Sequence, residues 1–575
     1  MSLIRRTFDS LAQASSSLET FDRTGSLRAK IGGEHLARAA ISIRPEFEAW
    51  RAVGEEAVAL FFRPEETLEF LAASFAAFSA GLAIAPFYPN WPAETQREYL
   101  ERYRFRSVAT GEAFRARVEA WGLAGGLRSV AVDLGRFDGG VPGKPARLDG
   151  EAPPERACAW VFSSGTSGKF AKLTEITFGN LAAAIDGIGD LDFLGPGLTV
   201  HNPLSASHIF SLVATLGFLT QRPGRVIFSD VQYLARLPRE RTGKIDGMIL
   251  VPIVLDRLRA AFYDRLGRAA GSSGTRSELG ILGCVPVRAR RALGRLALEA
   301  EEAVIRREAG TRLGLRSRLA LRAARALLGP LVSRKLGSPR FVVVGGARPN
   351  LRSMAFLEAM GIQCLQGWGM TETTGPLCVC RSRDRRRGAF GTAGILFPRA
   401  AARVEEGELV VSGPQVARGY RREDGTFVEF HGVLRTGDLA EIDSAGRIRI
   451  LGKASDRLTT ANGLNYDPVV FEETLLRLDA GREGALEAAV VIGDGQPCLG
   501  AVFFLRGGLE GAEAEAYVAA VVRAFNDSHP TDERIGRWAV CPRPLAESGF
   551  LGPTGKLRRR RVDEEYARIF EGVKV

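Results

Sequence analysis

From Ala57 onward, short unbroken apolar runs alternate with longer stretches whose apolar residues recur at helical spacing. "AVALFF" (57–62) reads as a buried strand and "TLEFLAASFAAFSAGL" (67–82) as an apolar-faced helix. "AIAPFYP" (83–89) follows as the next strand, stopped by proline. "RSVAT" (106–110) and "RSVAVDL" (128–134) extend the strand series. "GKIDGMILVPIVLDRL" (243–258) gives a strand and then a helix, and "RFVVVGGA" (340–347) is a strand ending in a glycine turn. Repeated strand–helix units predict a largely parallel sheet covered by helices on its faces. In such sheets ligands sit outside the carboxyl ends of the strands. After Pro398 the pattern shortens: "GELVVSG" (407–413), "DLAEID" (438–443) and "RIRILGK" (447–453) are β-like runs separated by turns such as Ser444-Ala445-Gly446. The predicted fold is therefore α/β. A large N-terminal domain of mostly parallel sheets (1–452) carries a β-rich subdomain, and a small α+β domain (453–575) follows it.

At 575 residues the chain exceeds what one core organises, and 45% apolar with 25% charged residues is the composition of a folded globular protein. Seven cysteines lie scattered in mostly apolar surroundings, which suggests buried thiols in a reducing compartment. Cys378-Val379-Cys380 reads better as an alternating strand than as half of a metal site. The first residues lack an apolar signal core, and no run of about 18 apolar residues occurs. The expected location is cytoplasmic, with peripheral contact at the inner membrane face as a second reading. The net charge of +12 is concentrated: residues 288–340 alone carry +10. That argues against a protein that coats nucleic acid over its whole surface. The segment 288–335 has helix-forming composition, with Gly294, Gly310 and Gly314 expected to break it into pieces. A solvated helical insertion, a basic amphipathic membrane patch and a nucleic-acid contact all fit it; no recognition module accompanies the third.

The candidate chemistry starts at "SSGTSGKFAK" (163–172), a run able to aim backbone N–H groups at an anion. A P-loop would need glycine where Ser163 stands and serine or threonine where Phe170 stands, so that reading fails. The stretch resembles instead the phosphate loop of the adenylate-forming superfamily: acyl-CoA synthetases, luciferases and peptide-synthetase adenylation domains. "QGWGMTETTGP" (366–376) is similar to that family's aromatic-Gly-x-Thr-Glu motif. "GELVVSGPQVARGY" (407–420), "LRTGDLAEID" (434–443), "GKASDRLTTANGLNYDPVVFEE" (452–473) and "PTGKLRRR" (553–560) resemble four further motifs, in the family order. The basic segment followed by "RKLGSPRFVVVGGARPN" (334–350) resembles the long-chain fatty acyl-CoA synthetase branch.

The resemblance implies a two-step, ATP-dependent ligase that forms acyl-AMP with release of pyrophosphate and then transfers the acyl group to a thiol. It also implies roles for particular residues. Ser164, Gly165, Thr166, Ser167 and Gly168 would wrap the terminal phosphates, with Lys172 adding a point charge. Trp368, flanked by Gly367 and Gly369, would stack on adenine beside the turn Gly345-Gly346-Ala347. Thr371 would bond the α-phosphate or the carboxylate, and Glu372 would ligate Mg2+. Asp438 would hold the ribose hydroxyls, with Lys453 standing where an arginine is usual. Lys556 would bridge carboxylate and α-phosphate, His208 and Gly345 would border the acid channel, and Gly463 would line a thiol channel after rotation about a hinge at Lys453–Asp456. Implied partners are a fatty or aryl-alkyl acid and, as thiol, coenzyme A or the phosphopantetheine arm of an acyl carrier protein. A nucleotide-binding pseudoenzyme is the non-catalytic alternative. Departures from the family pattern include an extra residue between Gly168 and Lys172 and Phe178 in place of a histidine.

Overall fold

The computed structural model describes residues 17–22, 24–134, 152–163, 172–222, 224–230, 242–267, 286–384, 389–461, 464–480, 485–506, 509–551 and 557–571. Two eight-stranded sheets dominate it. The first runs in the order Gly375–Val379, Gln363–Met370, Phe341–Val344, Gly247–Leu250, Thr199–Asn202, Arg225–Phe228, Ser17–Phe21, Leu27–Gly32. The second runs Phe427–Glu429, Gly419–Arg421, Leu173–Thr177, Ala157–Phe162, Ala83–Pro86, Ala57–Phe61, Ser107–Thr110, Arg128–Ala131. The first is parallel through its middle and antiparallel at both edges. The second is parallel from Ala157–Phe162 out to Arg128–Ala131 and antiparallel from Ala157–Phe162 to its other edge, so the parallel pairing that strand–helix alternation predicts holds for these central stretches.

The largest core lies between the sheets. Val200, Val226 and Val343 of the first and Val58, Leu60 and Ile84 of the second pack on shared helices. Helix Thr67–Ala80 has every residue from Thr67 to Phe78 buried, so in place of the expected single apolar face the helix is buried all round, with Glu69 ion-paired to Arg28. Helices Phe178–Gly189 and Ile209–Gln221 join the same core. Phe178, in the place of the usual histidine, is buried and meets Phe78 edge-on.

The four-stranded antiparallel sheet Ala401–Glu405, Glu408–Ser412, Val433–Ile442, Ile448–Lys453 forms the predicted β-rich subdomain. A short 3-10 turn, Ala454–Asp456, then leads to a smaller unit. In it Leu486–Ile492, Leu499–Leu505 and Ile535–Cys541 form a sheet with helices Pro468–Ala480 and Gly511–Asn526.

The basic segment forms helices Val287–Glu308, Leu315–Leu327 and Gly329–Lys335. Gly294 corrects the sequence expectation: it lies inside the first helix, where its missing Cβ costs only about 1 kcal/mol against the packing of a long helix. Gly310 and Gly314 do fall between helices. The segment is also less solvated than expected. Ala297, Ala300, Ala303 and Val304 are buried in the second core, and the fully buried Glu301 carboxylate accepts from Arg259 at 2.8 Å and from the Tyr263 hydroxyl at 2.5 Å. No described helix is long and apolar enough to cross a membrane.

Candidate functional site

Strand Gln363–Met370 binds both of its neighbours, parallel to Phe341–Val344 through 363–366 and antiparallel to Gly375–Val379 beyond. That switch requires a tight turn at Met370–Gly375. Thr374 and Gly375 take φ values of 55° and 85°, and a Cβ on Gly369 would come within 2.0 Å of the Gly375 carbonyl oxygen. Trp368 stands on the strand just before the turn, and Glu372 stands within it.

Trp368 is 8% exposed and packs beside Leu377, Cys378, Leu409 and Val411. Its indole N–H donates to Asp438 Oδ2 at 3.0 Å. The other carboxylate oxygen of Asp438 is 2.9 Å from the Lys453 ammonium, which also donates to the Thr436 carbonyl at 3.3 Å. Asp438 and Lys453 are cross-strand partners in the β-rich sheet, so their register fixes the pair. The aromatic, ribose and hinge motifs are thus joined side chain to side chain.

Glu372 is buried, and its Oε1 accepts from the Tyr420 hydroxyl at 2.6 Å. Tyr420 lies on strand Gly419–Arg421, opposite Thr174 of the strand that follows Lys172. The Lys172 ammonium stands over the Tyr420 ring, 4.7 Å from its centroid. Burial, reinforced by the Glu372 charge, pushes the Tyr420 phenol far above its ordinary range, so it stays a donor. The Ala417 N–H donates to the Glu372 carbonyl at 2.8 Å, which stitches the same two motifs through their backbones. Ser163 N–H donates to the Lys172 carbonyl at 2.8 Å and joins the two ends of the quoted run 163–172.

On the acid side, the His208 ring lies 4.7 Å from that of Tyr88, at the N-terminus of helix Ile209–Gln221. Tyr88 is buried and donates to the Phe162 carbonyl at 2.9 Å; burial and then the Glu372 charge raise its phenol. Gly345 is buried, and a Cβ there would meet Phe210 at 3.2 Å and the Gly367 carbonyl at 3.5 Å. Gly346 (φ +87°) and Ala347 are exposed. Thr371 opens the 3-10 turn that carries Glu372.

Ser164, Gly165, Thr166, Ser167, Gly168, Gly463 and Lys556 lie outside the described residues. Sequence reasoning gave no role to Tyr88, Phe210, Arg348 or Tyr420. Tyr420 did stand in a quoted motif, and its aromatic between small and basic residues was the available signal.

As to the metal, magnesium takes one or two protein carboxylates and otherwise substrate phosphates and waters. A single buried carboxylate, with no hydrogen bond to its Oε2 among the described residues, fits that pattern. No described cluster of three or more acidic, histidine or cysteine side chains offers an all-protein metal cage.

The profile of the AMP-binding enzyme family matches residues 53–421, that of the AMP-binding enzyme C-terminal domain matches 455–573, and the chain belongs to this adenylate-forming family. It is accordingly an AMP-forming acid–thiol ligase. The long-chain-fatty-acid–CoA ligase FadD15 of Mycobacterium bovis is 27% identical over 552 residues, covering 88% of this chain and 86% of the relative. The 2-succinylbenzoate–CoA ligase of Bacillus cytotoxicus is 37% identical over 167 residues, covering 27% of this chain and 33% of the relative. ATP-bound MatB from Rhodopseudomonas palustris shares the fold with a TM-score of 0.68 at 20% identity, covering 99% of this chain and 100% of that one. The anthranilate CoA ligase AuaEII in complex with anthranoyl-AMP also scores 0.68, at 15% identity, covering 98% and 97%.

Proposed function

We propose that this ligase activates a fatty acid as acyl-AMP and transfers the acyl group to coenzyme A. One observation carries the reading: two strings of contacts meet on one turn, Lys172 through Tyr420 to Glu372, and Trp368 through Asp438 to Lys453. A phosphate-binding cation, a metal-binding carboxylate, an aromatic plane and a ribose-binding carboxylate are thus gathered around one turn, one group for each part of a nucleotide. Attack of the acid carboxylate on the α-phosphorus forms the acyl–phosphate bond and breaks the bond to pyrophosphate. Lys172 and Thr371 stabilise charge on the phosphate oxygens, and His208 with Gly345 borders the incoming acid. Magnesium held by Glu372 would neutralise phosphate charge when bound. Lys556 serves the first step, and the hinge at Lys453–Asp456 brings Gly463 toward the thiol in the second.

The fatty acid rests on the resemblance to the long-chain branch and on relatives named for such acids. An acidic carrier protein presents the same thiol as coenzyme A and is the competing acceptor. Pyrophosphate release across an acid panel, followed by product formation with coenzyme A or holo carrier protein, decides both. Lys556→Ala is expected to suppress acyl-AMP formation while thioester formation from supplied acyl-AMP persists; equal loss of both would refute domain alternation.

Helix Leu315–Leu327 supports peripheral membrane contact as a second reading. Leu315, Leu319 and Leu327 are 74%, 53% and 58% exposed, and Arg316, Arg318 and Arg322 are exposed among them. Co-sedimentation with anionic vesicles should fall when Leu315 and Leu319 are both changed to serine, with turnover of a short, soluble acid unchanged.

A further inference from the structure

We propose that Tyr420 is a positioning residue that keeps the phosphate-binding lysine and the metal-binding carboxylate apart, so that both remain available to one nucleotide. The proposal rests on the function above and gives a role to a residue that so far enters only as a link between two others.

Lys172 and Glu372 carry opposite charges and reach opposite parts of the same tyrosine. Left without a spacer, an ammonium and a buried carboxylate this near would close into an ion pair, each spending its charge on the other. Tyr420 answers both without neutralising either. Its hydroxyl donates to Glu372 Oε1 at 2.6 Å, which satisfies one oxygen and leaves Oε2 with no hydrogen bond among the described residues. Its π-face takes the Lys172 ammonium at 4.7 Å, an attraction weak enough for a phosphate to displace. No ion pair joins Lys172 to an acid among the described residues.

The tyrosine itself is held on several sides. Strand pairing fixes its backbone between Thr174 and Val428, and the Phe430 ring meets its edge at 4.8 Å and 89°. The position is therefore set by the second eight-stranded sheet, while Glu372 arrives from the first. Tyr420 is where the two sheets hand a cation and an anion to a common ligand.

Tyr420→Phe keeps the ring and removes only the hydroxyl; Tyr420→Leu removes both contacts. ATP affinity is measured by calorimetry in EDTA and in Mg2+, beside thermal melting of each variant. For Tyr420→Phe, affinity in EDTA should match the wild type while the tightening produced by Mg2+ shrinks on the order of tenfold. The Mg2+ concentration for half-maximal pyrophosphate release should rise in parallel, with the acid KM unmoved. For Tyr420→Leu, affinity in EDTA should fall as well, because Lys172 is then free to pair with Glu372. A Tyr420→Phe protein that melts like the wild type and keeps its full Mg2+ response overturns the proposal. Wild-type protein that binds no ATP in either buffer overturns the function beneath it instead.

Discussion

At the residue scale, the carboxylate of Asp438 does two jobs before any nucleotide arrives. It is 6% exposed, and such a buried charge is tolerable only because Trp368 and Lys453 each serve one of its oxygens. Ribose hydroxyls would enter a carboxylate already oriented from both sides. Asp438→Asn offers one acceptor oxygen in place of two and turns an amide N–H2 toward either the ammonium or the indole. ATP affinity, read by calorimetry, should weaken on the order of tenfold or more, with little change in affinity for the acid. Lys453 in place of arginine fits this geometry: an ammonium makes the single contact that the cross-strand position asks for, and no fork is needed.

At the element scale, the strands show how local pattern and burial agree and where they part. Strand Thr199–Asn202 places His201 fully buried in the first sheet, with Nε2 2.9 Å from the Ser229 hydroxyl. Burial lowers its pKa from 6.5 to about 3, so the folded protein keeps it neutral where the unfolded chain takes up a proton. Stability should therefore fall as pH drops from about 6.5 toward 3, by up to about 1.4 kcal/mol per pH unit from this group. His201→Asn should flatten that slope in denaturant titrations at stepped pH, and an unchanged slope would contradict the buried neutral ring. The strands and helices themselves were legible from apolar periodicity, from "AVALFF" to "RFVVVGGA". Helix Val287–Glu308 was legible as helix but not in its continuity through Gly294. Its buried alanines and Glu301 draw stability from tertiary contacts that outweigh one glycine.

At the scale of the whole molecule, Arg348 links the Gly345-Gly346-Ala347 turn to the smaller C-terminal unit. It follows Ala347 directly, donates to the Leu451 carbonyl, and lies 3.6 Å from Glu473 and 4.0 Å from Asp467. Burial raises the Glu473 carboxyl while Arg348 opposes that rise, so the contact is an electrostatic clasp between the large domain and the smaller unit. Partly exposed pairs of this kind are worth up to about 1 kcal/mol. Arg348→Ala should accordingly speed limited proteolysis at 453–456 several-fold in low salt, and high salt should erase the difference. Proteolysis indifferent to both changes would show that the clasp does not hold the unit.

Read alone, the sequence determined the class of chemistry, because six contiguous motifs resemble those of one family and stand in its order. It also determined which segments are strands and which are helices, since those periods are local. The tertiary structure decided what faces what. Trp368 and Asp438 are 70 residues apart, and Tyr420 is 48 from Glu372; each pair joins two different sheets, so it meets only when those sheets pack together. Register between distant strands is set by the packing of two whole sheets, and no short window of sequence carries that information.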